Sequence, residues 1–135
     1  MRFLVNIDVD DLGKAVRFYR DGLGLTVGRR FGSSGVEMLG GLAPIYLLVK
    51  GPGSAPASVK SQIRTYDRHW TPVHVDFVVD DIEAAVRRAQ SAGGLLERAI
   101  STDTWGRLAL MADPFGHGFC FVEFLGRGYD EIADG

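Results

Sequence analysis

Residues 4–9 read Leu-Val-Asn-Ile-Asp-Val, placing Val5, Ile7 and Val9 on one face and Leu4, Asn6 and Asp8 on the other. A period of two predicts a half-buried strand. Residues 74–79 repeat the pattern, with Val75, Phe77 and Val79 opposite His74, Asp76 and Val78. After each strand the period lengthens. Leu12, Ala15, Val16 and Tyr19 form one helical stripe, and Ile82, Ala85, Val86 and Ala89 form another. These stripes predict helices over about residues 11–22 and 81–92. An Asp-Asp pair opens each helix, where an acid caps free N–H groups and complements the helix dipole. Glycine closes each, at Gly22 and at Gly93-Gly94. Three strands are predicted after the first helix, near 25–31, 35–40 and 44–50. Three more are predicted after the second, near 95–100, 107–112 and 118–124.

The pattern is an internal repeat. VDDLGKAVR at 9–17 aligns with VDDIEAAVR at 79–87, at an offset of 70 residues. At the same offset Val5 matches Val75, and Gly24-Leu25 matches Gly94-Leu95. Such self-similarity predicts two copies of one βαβββ module. The fold class expected is therefore α+β, with mixed, mainly antiparallel sheets. Module one covers 1–51, a linker 52–71 and module two 72–125, within a single domain over 1–128. The stretch GPGSAPAS (51–58) reads as flexible, and residues 59–72 as a loop or a short helix. The polar tail 126–135 is expected to fray.

Composition narrows the function classes. A chain of 135 residues can build one core without disulfides or a structural metal. The net charge of −2 gives no reason to expect nucleic acid or an anionic membrane as partner. Cys120 is the single cysteine, so no intrachain disulfide forms, and a reducing cytoplasm is expected. The start MRFLVNIDVDD lacks the apolar core of a signal peptide, and no apolar run is long enough to span a bilayer. Gly22-Leu23-Gly24 follows a helix instead of opening one, which argues against a phosphate loop.

With the duplicated module, FYRDGLGL (18–25) and TWGRLALMADPFGH (104–117) carry a resemblance over about residues 3–125. The chain resembles the vicinal oxygen chelate family of glyoxalases, bleomycin-resistance proteins and extradiol dioxygenases. The resemblance implies curled sheets with helices outside and a trough inside, a homodimer, and a small-molecule site. Leu4, Asn6, Asp8, His74, Asp76 and Val78 would then face the trough.

Metal-dependent members of that family take ligands from the first and last strand of each module. Those four slots fall on Leu4, near Tyr46, on His74 and on Cys120. Only His74 is a standard ligand of the family, so a metal-free site is expected. The alternative is a divalent transition metal, a Lewis acid for vicinal oxygens, held by His74 with Asp8, Asp76 or Glu123. Glu123 lies on the opposite face of a regular strand from Cys120, so a bulge would be needed to bring it inward.

The function expected is binding of a small planar or aromatic molecule. Asn6, Asp8, His74 and Asp76 would give polar contacts; Leu4, Tyr46, Trp70, Trp105 and Met111 would give apolar ones. Arg107 is a candidate for an anionic ligand group, although a surface ion pair is its commoner fate. Cys120 would line the site as an inert thiol. The alternatives are a metal-dependent lyase, isomerase or dioxygenase, and a metal-free isomerase or epimerase with His74 as catalytic base.

Overall fold

The computed structural model describes residues 1–56 and 58–135; Ala57, within the predicted linker, lies outside the described residues. The chain forms two compact units, Met1–Asp67 and Arg68–Gly135. The first unit holds β1 (Val5–Val9), α1 (Leu12–Arg17), β2 (Thr26–Phe31), β3 (Gly35–Leu39) and β4 (Ile45–Val49). Its strand order is β1-β4-β3-β2. β1 runs parallel to β4, and the other neighbours are antiparallel.

The second unit repeats this plan with β5 (Val75–Val78), α2 (Ile82–Ser91), β6 (Leu95–Leu96), β7 (Ser101–Thr102), β8 (Gly106–Ala112) and β9 (Gly118–Phe124). Its order is β5-β9-β8-β6, with β7 also paired to β8. The registers correspond: Asn6 pairs with Tyr46 in the first unit, and Asp76 with Cys120 in the second. This is the duplicated α+β architecture that the repeat predicts.

Both helix starts are built alike. The Asp11 carboxylate accepts from the Lys14 amide at 3.0 Å, and that of Asp81 from the Ala84 amide at 3.0 Å. The first helix does not stay regular to Gly22: a wider π turn, Phe18–Gly22, follows α1. Gly24 then turns the chain at φ +75°, a conformation that costs only glycine little. α1 buries Ala15 and Val16 on the face of β3 and β4 that carries Val36, Met38 and Leu47. α2 buries Ile82, Val86 and Ala89 over Ala109 and Phe121. Each such large apolar side chain contributes roughly 1.5–3 kcal/mol when removed from water. No described helix is long and apolar enough to cross a membrane.

Three segments depart from the sequence-based expectation. The strand near 95–100 is two short pieces, β6 and β7, whose register on β8 differs. Between them the Glu97 amide still bonds the Leu110 carbonyl at 2.9 Å, while its side chain reaches Arg68. Residues 59–72 form turns and extended chain without a helix. The tail does not simply fray. A short 3₁₀ turn, Gly128–Glu131, sets the Tyr129 ring 5.0 Å from Trp105 and 4.8 Å from Phe124.

Candidate functional site

Within the second unit, β8 and β9 and the segment leading into β5 enclose an open cavity of about 190 Å³. Leu110, Phe119 and Cys120 line it from the sheet, and Trp70, Thr71 and His74 from the leading segment. Trp70 stands at its edge, 80% exposed. Arg68 and Glu97 add a charged wall, paired through Nε at 2.8 Å and Nη2 at 2.7 Å. These hydrogen bonds hold the Glu97 carboxyl below its usual range. Gly118 makes the wall possible, because a Cβ there would lie 2.7 Å from Nη2 of Arg68.

His74, Asp76 and Cys120 meet at one end of β5 and β9. The His74 Nε2 lies 3.2 Å from the Asp76 carboxylate. The donor atoms of all three residues fall within 4.8 Å of one another. Burial, and then the neighbouring Asp76 carboxylate, push the Cys120 thiol up to about 11. At neutral pH it is a protonated donor and a poor nucleophile.

Not every expected residue joins this cavity. Arg107 and Glu123 pair in register on the face beneath α2. Arg107 reaches Glu83 at 2.9 Å, and Glu123 accepts from the Ile82 amide at 2.7 Å, at the positive end of the helix. No bulge turns Glu123 towards Cys120, so the ligand set that included it is not assembled. Met111 borders the cavity but is fully buried, in register with Phe119. Trp105 packs on Phe124 and Tyr129 instead of walling the cavity.

In the first unit, Leu4 precedes β1 and is half exposed, and Asn6 is exposed. Asp8 is held by Arg64 Nε at 2.7 Å, a partner from the segment the sequence left unread. The Tyr46 hydroxyl donates to Glu37 at 2.7 Å and accepts from Arg29 Nη2 at 2.7 Å. Arg29 and Glu37 escaped the sequence reading. The available signal was a lone carboxylate inside the apolar strand Gly-Val-Glu-Met-Leu, on the face it shares with Tyr46.

Residues 4–122 match the family model of the glyoxalase-like domain, and the chain belongs to that family. Its fold is that of the glyoxalase/bleomycin-resistance/dioxygenase proteins, the vicinal oxygen chelate superfamily. Anthracycline biosynthesis protein DauV of Streptomyces sp. (strain C5) is 35% identical over 133 residues, which is 97% of this chain and 44% of DauV. The chain thus spans under half the length of that relative. A glyoxalase/bleomycin resistance protein/dioxygenase family enzyme from Burkholderia phytofirmans PsJN superposes with a TM-score of 0.70 at 18% identity, over 90% of this chain and 97% of that one. Lactoylglutathione lyase from Agrobacterium tumefaciens does so with a TM-score of 0.63 at 19% identity, over 91% and 92%. At these identities the structural likeness establishes the fold.

The donor set does not fit the four-slot metal site of that superfamily. Leu4 has no ligating atom. The Tyr46 hydroxyl is engaged by Glu37 and Arg29. Cys120 puts a soft sulfur donor where the family's hard oxygen donor would stand.

Proposed function

We propose that the protein binds a small planar aromatic molecule in the cavity of the second unit, without a catalytic metal. The observation that carries this reading is the lining itself. Leu110 and Trp70 offer apolar surface, while His74, Thr71 and the Arg68–Glu97 pair bring polar groups to it. A mostly apolar wall with a few directed polar groups is the usual economy of a ligand pocket. A volume of about 190 Å³ is small for such a pocket, so it suits one ring system with the rest of the ligand projecting outward. The relationship to DauV, named for anthracycline biosynthesis, agrees with a fused-ring ligand. Titration with a hydroxyanthraquinone should quench tryptophan emission to saturation. His74→Ala should weaken binding about five- to tenfold, the worth of one hydrogen bond. A flat titration overturns the reading.

The contact between His74 and Asp76 favours one second reading, a metal-free isomerase or epimerase. A carboxylate on Nε2 orients the imidazole and leaves Nδ1 to accept a proton. Deuterium exchange into a bound ligand's acidic C–H, lost in His74→Ala, distinguishes catalysis from binding alone.

A further inference from the structure

The polar side chains around the second unit's cavity have already committed most of their donors. Arg68 gives Nε at 2.8 Å and Nη2 at 2.7 Å to the two oxygens of Glu97. Its Nη1 turns to the backbone carbonyls of His69 and Gly116. One hydrogen of Nη2 is left over, on a nitrogen packed so close to Gly118 that a Cβ there would lie 2.7 Å away. The Thr71 hydroxyl donates to the Val73 carbonyl at 2.7 Å. The Cys120 thiol is hydrogen-bonded to Asp76, and His74 turns Nε2 to the same carboxylate at 3.2 Å.

The acceptors are not used up in this way. A carboxylate offers about four acceptor positions. Among the described residues Arg68 fills two of those on Glu97. The Thr71 oxygen keeps its lone pairs, and a neutral His74 ring keeps Nδ1. Charge tilts the same way. Glu97 and Asp76 bring two carboxylates to the site, and the guanidinium of Arg68 is already matched by Glu97. Trp70, 80% exposed at the edge, adds the kind of aromatic surface that attracts a cation. A wall short of donors leaves an anionic oxygen without partners, which is costly. The same wall satisfies a group that donates, and best one that is also positive.

We propose that the ligand of this cavity is an aromatic molecule that carries an ammonium group. Its N–H groups donate to Glu97, its ring lies against Leu110 and Trp70, and Thr71 and His74 supply further acceptors. This inference rests on the reading of the cavity as the ligand site and adds what the ligand must carry. Arg68 is a positioning residue here: it holds the Glu97 carboxylate in place and keeps it ionised.

The test compares three ligands of one ring system on the full chain at pH 7: 1-naphthalenemethylamine, 1-naphthalenemethanol and 1-naphthoate. The Trp70 indole N–H is followed in ¹⁵N–¹H spectra. The amine should bind about tenfold more tightly than the alcohol, and naphthoate should be the weakest. Glu97→Gln should bring the amine and the alcohol within about twofold of each other. It should also strengthen naphthoate, because the Arg68 donors are then released from a carboxylate. Naphthoate bound as tightly as the amine by the wild-type chain overturns the inference and leaves the cavity reading standing. An amine preference of undiminished size in Glu97→Gln does the same. A Trp70 resonance unmoved by all three ligands overturns the cavity reading together with this inference.

Discussion

His117 Nδ1 lies 2.9 Å from His69 Nε2, and the two rings meet edge to face. One imidazole donates and the other accepts. The His69 amide also donates to the Gly116 carbonyl at 3.1 Å. The turn beneath them is held by Asp113, which accepts from the amides of Phe115 at 2.8 Å and His117 at 3.0 Å. These bonds strap residues 68–70 to the β8–β9 turn and so place Trp70 at the cavity edge. Replacing His117 with Phe removes one hydrogen bond, worth about 1 kcal/mol. Opening of the strap should then rise about fivefold. Amide exchange at His69 reports it; unchanged protection would show that the ring contact carries no stability.

Glu37 gives a dependence on pH with a definite sign. Hydrogen bonds from Arg29, and then from Tyr46, pull its carboxyl down to about 2, from an ordinary value near 4.5. A depressed folded value adds stability that is present above the unfolded value and lost as pH falls through the folded one. Wild type should therefore exceed Glu37→Gln in stability most above about pH 5, with the gap closing between about pH 4.5 and pH 2. Denaturant titrations at pH 7, 4 and 2.5 measure this. A gap that stays constant across them contradicts the assignment.

Cys120 should resist alkylation in the folded chain. With the thiol near 11 against an ordinary 9, the thiolate at pH 8 is roughly 100-fold scarcer than in the unfolded chain, before burial is counted. Iodoacetamide rates with and without denaturant test this. Asp76→Asn should accelerate the folded reaction, because it removes the negative charge beside the sulfur. Equal rates in folded and unfolded protein would show the thiol to be ordinary.

Tyr129 fastens the C-terminal turn to Trp105 and Phe124. Tyr129→Ala should cost about 1 kcal/mol, the typical worth of an aromatic contact. It should also shift Trp105 emission to the red as the indole gains water. Unaltered stability and emission would mean that the turn merely rests there.

Much of this fold can be read from periodicity. The two helix starts at Asp11 and Asp81 are legible because a cap, a dipole and an apolar stripe all agree at one offset. Strand faces follow from alternation, which puts His74 and Asp76 on one face; Cys120 joins them only through the family resemblance. Other features were not local. Arg68 and Glu97 meet across 29 residues, and Arg64 and Asp8 across 56. No periodic signal marks either long-range pair. The packing of Trp105 is not legible in sequence, because its partner Tyr129 sits in a polar tail whose composition suggests disorder. Glu123 was legible by parity: the regular strand keeps it under α2, where a helix start needs an acceptor.

The claim that the second unit's cavity is the ligand site is tested most directly by its two indoles. Trp70 borders the cavity, whereas Trp105 is packed against Phe124 and Tyr129. In a ¹⁵N–¹H spectrum recorded during titration with a hydroxyanthraquinone, the Trp70 indole N–H should move to saturation while that of Trp105 stays fixed. Movement of Trp105 with Trp70 unmoved, or of neither, would contradict the account.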